Sequence, residues 1–137
     1  MSTDDEHLRS RDVRMVYLVT YSQADLQKFE TRKDFAHAVV LCFGRVNCGV
    51  LQWCCSHEKH KSGGEHYHLA LKLEKKQRWL SVKRFLEDHY AIEVNFSNVR
   101  HNYYSAWKYV TKEDEQYEES QEHPDLLNTP QPRTDKT

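Results

Sequence analysis

The pattern of apolar and polar positions along the chain predicts alternating strands and helices. Alternation with a period of two is typical of a strand with one buried face, whereas spacings of three and four are typical of an amphipathic helix. Strands are predicted over 13–21, 50–58, 65–73 and 91–96. Helices are predicted over 31–43, with Gly44 as a stop, over 79–90 and over 102–112.

The order of these elements predicts the fold class. Strand, helix, strand, strand, helix, strand, helix is the order of an α+β domain with a ferredoxin/RRM-like antiparallel sheet of four to five strands and flanking helices. We expect the helices on one face of the sheet. The first strand is apolar on both faces, which is typical of a central strand covered on both sides for most of its length.

The third predicted strand carries two histidines on one face. Successive side chains of a strand point to opposite faces, so His66 and His68 point the same way. The other face carries Tyr67, Leu69, Leu71 and Leu73. Glu58 ends the preceding strand on its more polar face, and a hairpin would bring its carboxylate to both imidazoles. The alternative is that both histidines are solvated surface residues.

One carboxylate and two imidazoles predict a catalytic site for a divalent metal, because they leave coordination positions open for water or substrate. The mixed nitrogen and oxygen donors suit Mn²⁺, Mg²⁺ or Co²⁺. A zinc site built from cysteines with His57 or His60 is disfavoured, because the chain has no C-x-x-C pair and Cys54 and Cys55 point to opposite faces of their strand.

The third predicted helix displays a tyrosine away from its apolar stripe. That stripe consists of Tyr103, Ala106, Trp107 and Val110. Tyr109 lies roughly 110° from the centre of the stripe, and Lys112 shares its flank. Tyr109 is either a partly exposed aromatic residue beside a solvated lysine or a nucleophile with a cation beside it, since a nearby cation favours the phenolate.

Composition indicates a single soluble domain with polar ends. Residues 113–137 carry eight acids and two bases, a net charge of −6, and residues 1–112 carry a net charge of +5. We expect a flexible arm over 1–12, a folded domain over 13–114 and an acidic disordered tail or linker over 115–137.

No apolar run is long enough to span a membrane, and the N-terminus has no signal peptide. We therefore expect a nuclear or cytosolic, not secreted, protein with four reduced cysteines.

Three motifs in order resemble those of HUH endonucleases of the Rep type, which have a single nucleophilic tyrosine. Residues 19–24, Val-Thr-Tyr-Ser-Gln-Ala, are similar to the family's L-T-Y-P-Q-C-like first motif, although its proline and cysteine are replaced here. The segment 66–68 matches the histidine–apolar–histidine motif, with Glu58 at the position of the upstream carboxylate ligand. The segment 109–112, Tyr-Val-Thr-Lys, matches the Y-x-x-K motif.

The resemblance implies a metal-dependent, sequence-specific single-stranded DNA nickase and strand-transferase. Glu58, His66 and His68 would bind Mn²⁺ or Mg²⁺, Tyr109 would form a 5′-phosphotyrosine link, and Lys112 would offset charge. DNA would lie on the sheet face, with contacts expected from Thr20, Tyr21, Arg100 and Lys108.

The resemblance also implies partners. The substrate would be a specific origin or element end in rolling-circle replication or transposition, and many relatives cut at a hairpin. The acidic segment 115–137 looks like a linker, so we expect a helicase or transposase domain to follow it. No membrane partner is expected.

Two alternatives stay open from the residues alone. One is a non-catalytic RRM-like module that binds single-stranded nucleic acid, although such modules stack bases on exposed aromatic residues of the central strands. Here the equivalent strand face offers His66, His68, Ala70 and Lys72. The other is a zinc-stabilised interaction domain.

Overall fold

The computed structural model describes residues 8–59, 61, 63–98, 100 and 102–120. Its elements are β1 (Val13–Ser22), α1 (Arg32–Gly44), β2 (Val50–Lys59), β3 (Glu65–Arg78), α2 (Leu80–Tyr90), β4 (Asn95–Ser97), α3 (Tyr103–Thr111) and β5 (Glu118–Glu119). The five strands form one sheet in the order β4-β1-β3-β2-β5, and all neighbours are antiparallel. The predicted α+β, ferredoxin/RRM-like class is confirmed.

The main core lies between one face of the sheet and helices α1 and α2. The leucines of β3 are fully buried there, together with Phe35, Val39 and Phe43 of α1, as the spacing of four predicts. Helix α1 begins after Thr31, whose hydroxyl accepts from the Asp34 amide while the Asp34 carboxylate accepts from the Thr31 amide. This capping box satisfies two amides that the helix would otherwise leave unpaired.

The opposite face of the sheet carries a second, smaller core, so the expectation of all helices on one face is wrong. Helix α3 covers this face with its apolar stripe. The buried members of this second core are Val16, Leu18, Cys54, Ala70, Tyr103, Ala106 and Val110. The sheet is therefore covered on both sides at its centre, which confirms the interpretation of β1 as a central strand.

Three local predictions differ from the structure. Strand β4 is only three residues long, because Ala91 ends α2 in the left-handed conformation (φ 55°) and residues 91–94 do not pair as a strand. Gly44 belongs to α1 and the helix ends through Arg45, whose amide donates to the Leu41 and Cys42 carbonyls. The alternation of the second strand predicts Leu51 on the same face as Trp53 and Cys55. Leu51 is instead exposed, because a register shift in β2 separates Val50 from Gln52.

Both ends of the described chain pack against the domain. Leu8 contacts the main core, and the indole N–H of Trp79 donates to the Arg9 carbonyl at 2.9 Å. Strand β5 pairs with β2, so folded structure extends past residue 114, the predicted end of the domain, to residue 120. Residues 1–7 of the predicted arm and 121–137 of the predicted tail lie outside the described residues.

The four cysteines are buried and none of them forms a disulfide. Cys54 faces α3 and Cys55 faces the main core, as their adjacency in a strand predicts. Burial raises the pKa of the Cys54 thiol to about 12, so this side chain is a buried thiol rather than a thiolate ligand. Among the helices of the described chain, none is long and apolar enough to cross a membrane.

Asp114 fastens the segment after α3 to the main core. Its carboxylate accepts from Arg32 Nε at 2.7 Å and Nη2 at 3.2 Å, from the His57 amide at 2.8 Å and from the Gln116 amide at 3.0 Å. Burial alone would raise the pKa of Asp114, but these donors outweigh it and hold the pKa below its ordinary value of 3.8. We call these four hydrogen bonds the Asp114 clasp. They connect α1 and β2 to the segment that follows α3.

Replacing this carboxylate should destabilise the domain. We expect Asp114→Ala to lower the free energy of unfolding by about 2 to 3 kcal/mol, because a buried charged acceptor is lost and Arg32 is left unpaired. Urea denaturation measures this change. The exposed neighbour Glu113 provides the control, since Glu113→Ala should change stability by less than about 0.5 kcal/mol.

The pH dependence follows from the lowered pKa of Asp114. Its stabilising contribution is complete above pH 3.8 and is lost as the pH falls through the lower folded-state pKa. Asp114→Asn should therefore lose less stability than the wild type on acidification. If acidification lowers the free energy of unfolding equally in the two proteins, the stabilising role of the Asp114 carboxylate is contradicted.

Candidate active site

Strand pairing brings the predicted metal ligands together on the face that α3 covers. Glu58 of β2 lies opposite His66 of β3, and His68 lies between Ser56 of β2 and Thr20 of β1. The rings of His66 and His68 are nearly parallel, with centroids 6.1 Å apart. Glu58 Oε1 lies 3.6 Å from His68 Nε2. The hairpin thus places all three residues on one face, as the alternation predicts.

The spacing of Glu58 and His68 suits a shared divalent ion. Two ligand atoms that each lie about 2.1 Å from one ion can be at most about 4.2 Å apart, and 3.6 Å lies within that limit. His68 Nδ1 and the paired Ser56 Oγ are buried, and neither has a hydrogen-bond partner in the described structure. Buried polar atoms in folded proteins are nearly always hydrogen-bonded, so a bound water, ion or ligand would satisfy these two.

The three side chains do not yet form a closed ligand set. Within the described part of the chain, no three His, Cys, Asp or Glu side chains form a group that could hold a metal ion in the present arrangement. His66 lies opposite Glu58 in register, so the backbone pairing places all three residues on one face of the hairpin.

The surroundings of His68 favour its neutral imidazole, the form that binds metals. Burial lowers the pKa of His68, and the neighbouring His66 lowers it further, although Glu58 opposes both effects. His57, the histidine considered for zinc, lies on the opposite face and pairs with Glu65 at 2.6 Å. His60 lies outside the described residues.

Helix α3 brings the predicted nucleophile to the histidines. The ring of Tyr109 is perpendicular to that of His68, with centroids 6.4 Å apart, although the two residues are distant in sequence. Tyr109 is 45 % exposed, while Val110 next to it is buried against the sheet. The guanidinium carbon of Arg100 lies 4.8 Å from the centre of the Tyr109 ring. The structure therefore brings the tyrosine, the histidines and a cation together.

Tyr109 opens onto a basic groove along the exposed flank of α3, which we call the tyrosine groove. Its volume is about 650 Å³, and it is lined by Arg100, Tyr104, Ser105, Lys108, Tyr109, Thr111 and Lys112. Three of these residues are cations and none is an acid. Lys112 is the C-cap of α3, one turn beyond Tyr109, as the helical spacing predicts.

The predicted DNA contacts divide into two groups. Thr20 lies on the histidine face, and Arg100 and Lys108 line the tyrosine groove. Tyr21 cannot contact DNA as predicted: it is 5 % exposed, and its ring packs against Phe35 with centroids 5.4 Å apart. The reason is strand alternation, which places Tyr21 on the main-core face because Thr20 faces the histidines.

Several residues near the site were missed from the sequence. Tyr104 stacks on Trp107, and the Lys108 ammonium lies over the Tyr104 ring. The helical spacing of three and four residues is the only signal in the sequence that could have indicated these contacts. Asp114 was noted only as one of the eight acids of residues 113–137. Its partner Arg32 is far away in the sequence, so no local pattern signals the pair.

No model of a known protein family matches the chain, and no curated protein matches its sequence. The motifs and the arrangement of their residues in the structure are therefore the observations that indicate a function.

A divalent ion should stabilise the protein through this site. Mn²⁺ at about 100 times its Kd should raise the free energy of unfolding by about 2.7 kcal/mol. Glu58→Gln and His68→Ala should each abolish most of this gain, because each removes a ligand. Urea denaturation with and without Mn²⁺ measures the difference.

The matched control is His89→Ala, which removes an exposed histidine at the end of α2. This variant should keep the full gain. An equal gain in all variants would show that the ion binds elsewhere.

Proposed function

We propose that this protein is a metal-dependent, sequence-specific single-stranded DNA nickase and strand-transferase of the HUH, Rep-type, single-tyrosine class. The observation that carries the proposal is the contact between Tyr109 and His68, with His68 in turn 3.6 Å from the Glu58 carboxylate. Helix packing creates this contact between two of the motifs, and core packing alone does not require either residue.

Tyr109 is the nucleophile in the proposed reaction. Its phenolic oxygen attacks a backbone phosphorus atom and gives up its proton, and the bond from phosphorus to the 3′ oxygen breaks. The 3′ oxygen takes a proton and leaves as the hydroxyl end of the upstream fragment, while the downstream fragment stays linked to Tyr109 through its 5′ phosphate. The half-exposed ring leaves room for a single strand to approach.

The cations beside Tyr109 offset the negative charge of the reaction. Arg100 lies over the ring, and Lys112 lines the same groove. Both charges stabilise the negative charge that develops on the phosphate oxygens in the transition state.

Glu58, His66 and His68 would hold Mn²⁺ or Mg²⁺, which when bound supplies a Lewis acid for the phosphate. The protein's part is to fix the ligands on the rigid β2–β3 hairpin and to keep His68 neutral. Thr20, paired with His68 on β1, borders the site where the strand would lie.

The reaction exchanges one phosphodiester for another, so it is reversible. A 3′ hydroxyl can attack the phosphotyrosine, rejoin the strand and release Tyr109. This chemistry serves rolling-circle replication or transposition, and we propose an origin or element end, in the host nucleus or cytosol, as the target.

The central test is a covalent adduct. Incubation with Mn²⁺ and a pool of randomised single-stranded oligonucleotides should give a denaturation-resistant, upward-shifted protein band. Tyr109→Phe should abolish the band, because the nucleophile is lost, and a chelator should do the same. Sequencing the attached DNA would identify the target.

Tyr104→Phe is the matched control for this test, because it removes a hydroxyl from the same groove. It should form adducts at close to the wild-type rate. Retention of oligonucleotides without any adduct would replace the nickase with a non-catalytic binding module.

Lys112 should matter for the rate of adduct formation. We expect Lys112→Ala to slow the reaction about 100-fold, because it removes a charge that stabilises the transition state. Single-turnover kinetics measure this rate at saturating DNA. Lys108→Ala, one turn earlier in the same groove, should slow it less than about tenfold, and similar losses in both variants would contradict a specific role for Lys112.

A further inference from the structure

A second groove lies at the other end of the histidine-bearing face, where β1, β3 and β4 meet. Its volume is about 470 Å³, and it is lined by Val13, Arg14, Met15, Val16, Lys76, Asn98 and Arg100. We call it the Arg14 groove. Arg100 lines both this groove and the tyrosine groove, so the two are contiguous.

The guanidinium of Arg14 is held in place within the second groove. Its Nη1 donates to the Val13 carbonyl at 2.9 Å. With the Asn98 amide oriented to satisfy both groups, the Asn98 oxygen accepts from Arg14 Nε at 2.8 Å and Nη2 at 3.0 Å. A fixed guanidinium loses less side-chain entropy when it binds an anion.

Arg100 joins the two grooves. Its guanidinium lies over the Tyr109 ring, and its Nε is buried without a hydrogen-bond partner among the described residues. The residue therefore touches the nucleophile on one side and lines the Arg14 groove on the other.

The two grooves share one chemical character. Their described lining contains five cations and no carboxylate: Arg14, Lys76, Arg100, Lys108 and Lys112. The Arg14 groove also exposes two apolar side chains, Val13 at 38 % and Met15 at 36 %. Fixed cations beside exposed apolar surface suit a polyanion that also carries flat apolar groups, which describes single-stranded DNA.

We propose that the Arg14 groove is a second binding site for the DNA strand, which continues from Tyr109 across Arg100 to Arg14 and Lys76. This inference rests on the proposed nickase function and adds the route of the uncut part of the strand. The backbone phosphates would bind Arg14 and Lys76, and the bases would contact Val13 and Met15. Continuity with the nucleophile favours DNA over an acidic protein segment as the occupant.

The test measures the affinity for fluorescent oligothymidylates by anisotropy, in a Tyr109→Phe background that prevents cleavage. At 0.15 M salt, Lys76→Ala should weaken binding of a long oligonucleotide about fourfold, since each lost phosphate contact removes about 0.7 from the salt exponent. Arg14→Ala combined with Lys76→Ala should weaken it about 15-fold and lower the salt exponent by about 1.4. Thermal melting checks that the variants fold.

Lys75→Ala is the matched control, since Lys75 is the exposed neighbour of Lys76 in β3 and lies outside the described lining of both grooves. It should bind like the parent protein. A short oligothymidylate that fills only the tyrosine groove should bind equally well to all variants.

Two results would overturn the second site: equal affinities of Lys76→Ala and Lys75→Ala for the long oligonucleotide, or equal weakening for short and long ones. Displacement of the long oligonucleotide by polyglutamate as readily as by unlabelled oligothymidylate would overturn DNA as the occupant. Adduct formation is scored separately, with the wild-type protein that retains Tyr109. If adducts form but Lys76→Ala does not weaken binding, the nickase function holds and the path of the strand through the Arg14 groove is rejected. If Lys76→Ala weakens binding but no adducts form, that path is supported and the nickase function is rejected.

Discussion

The packing of α3 against the second core is the interaction on which the rest of the site depends. Ala70 of β3 and Ala106 of α3 are both fully buried in this core, and their small side chains let the helix lie close to the sheet. Val110 is buried in the same core, so Tyr109 beside it must lie at the edge of the contact. His68 is two residues along β3 from Ala70 and points to the same face. The contact between Tyr109, the proposed nucleophile, and His68 is thus a consequence of how an apolar stripe is buried.

The two faces of the sheet serve different purposes. The main core, with its buried leucines and aromatic rings, supplies most of the apolar burial and fixes the β2–β3 hairpin. The second core is small, and it leaves the histidines at one end and the Arg14 groove at the other. The Asp114 clasp crosses the edge between the faces, because it ties the end of α3 to Arg32 of α1. Interactions on the main-core face therefore help to hold α3 and the side chains of the candidate site in place on the opposite face.

The sequence predicts the parts of this arrangement that depend on local periodicity. The period-two alternation of β3 is enough to place His66 and His68 together, and the helical phase is enough to separate Tyr109 from the stripe of Tyr103 and Val110. The same alternation argues against Tyr21 as a DNA contact, although the resemblance favoured it. Local patterns cannot tell which face of the sheet α3 covers, since Val16 and Leu18 on one face are as apolar as Tyr17 and Val19 on the other. Tertiary pairs such as Arg32 with Asp114 and Arg14 with Asn98 leave no local signal.

The most direct test of the account asks whether a metal ion binds beside Tyr109 in the absence of DNA. Fluorotyrosine can be incorporated throughout the protein, and Tyr109→Phe identifies the Tyr109 signal in the ¹⁹F spectrum. Paramagnetic Mn²⁺ should broaden that signal at low occupancy, while Tyr90, which packs against Phe29 on the other face, keeps a sharper one. Mg²⁺ should broaden neither signal. A Tyr109 signal that Mn²⁺ leaves as sharp as that of Tyr90, or a broadening that survives Glu58→Gln and His68→Ala, would contradict the account.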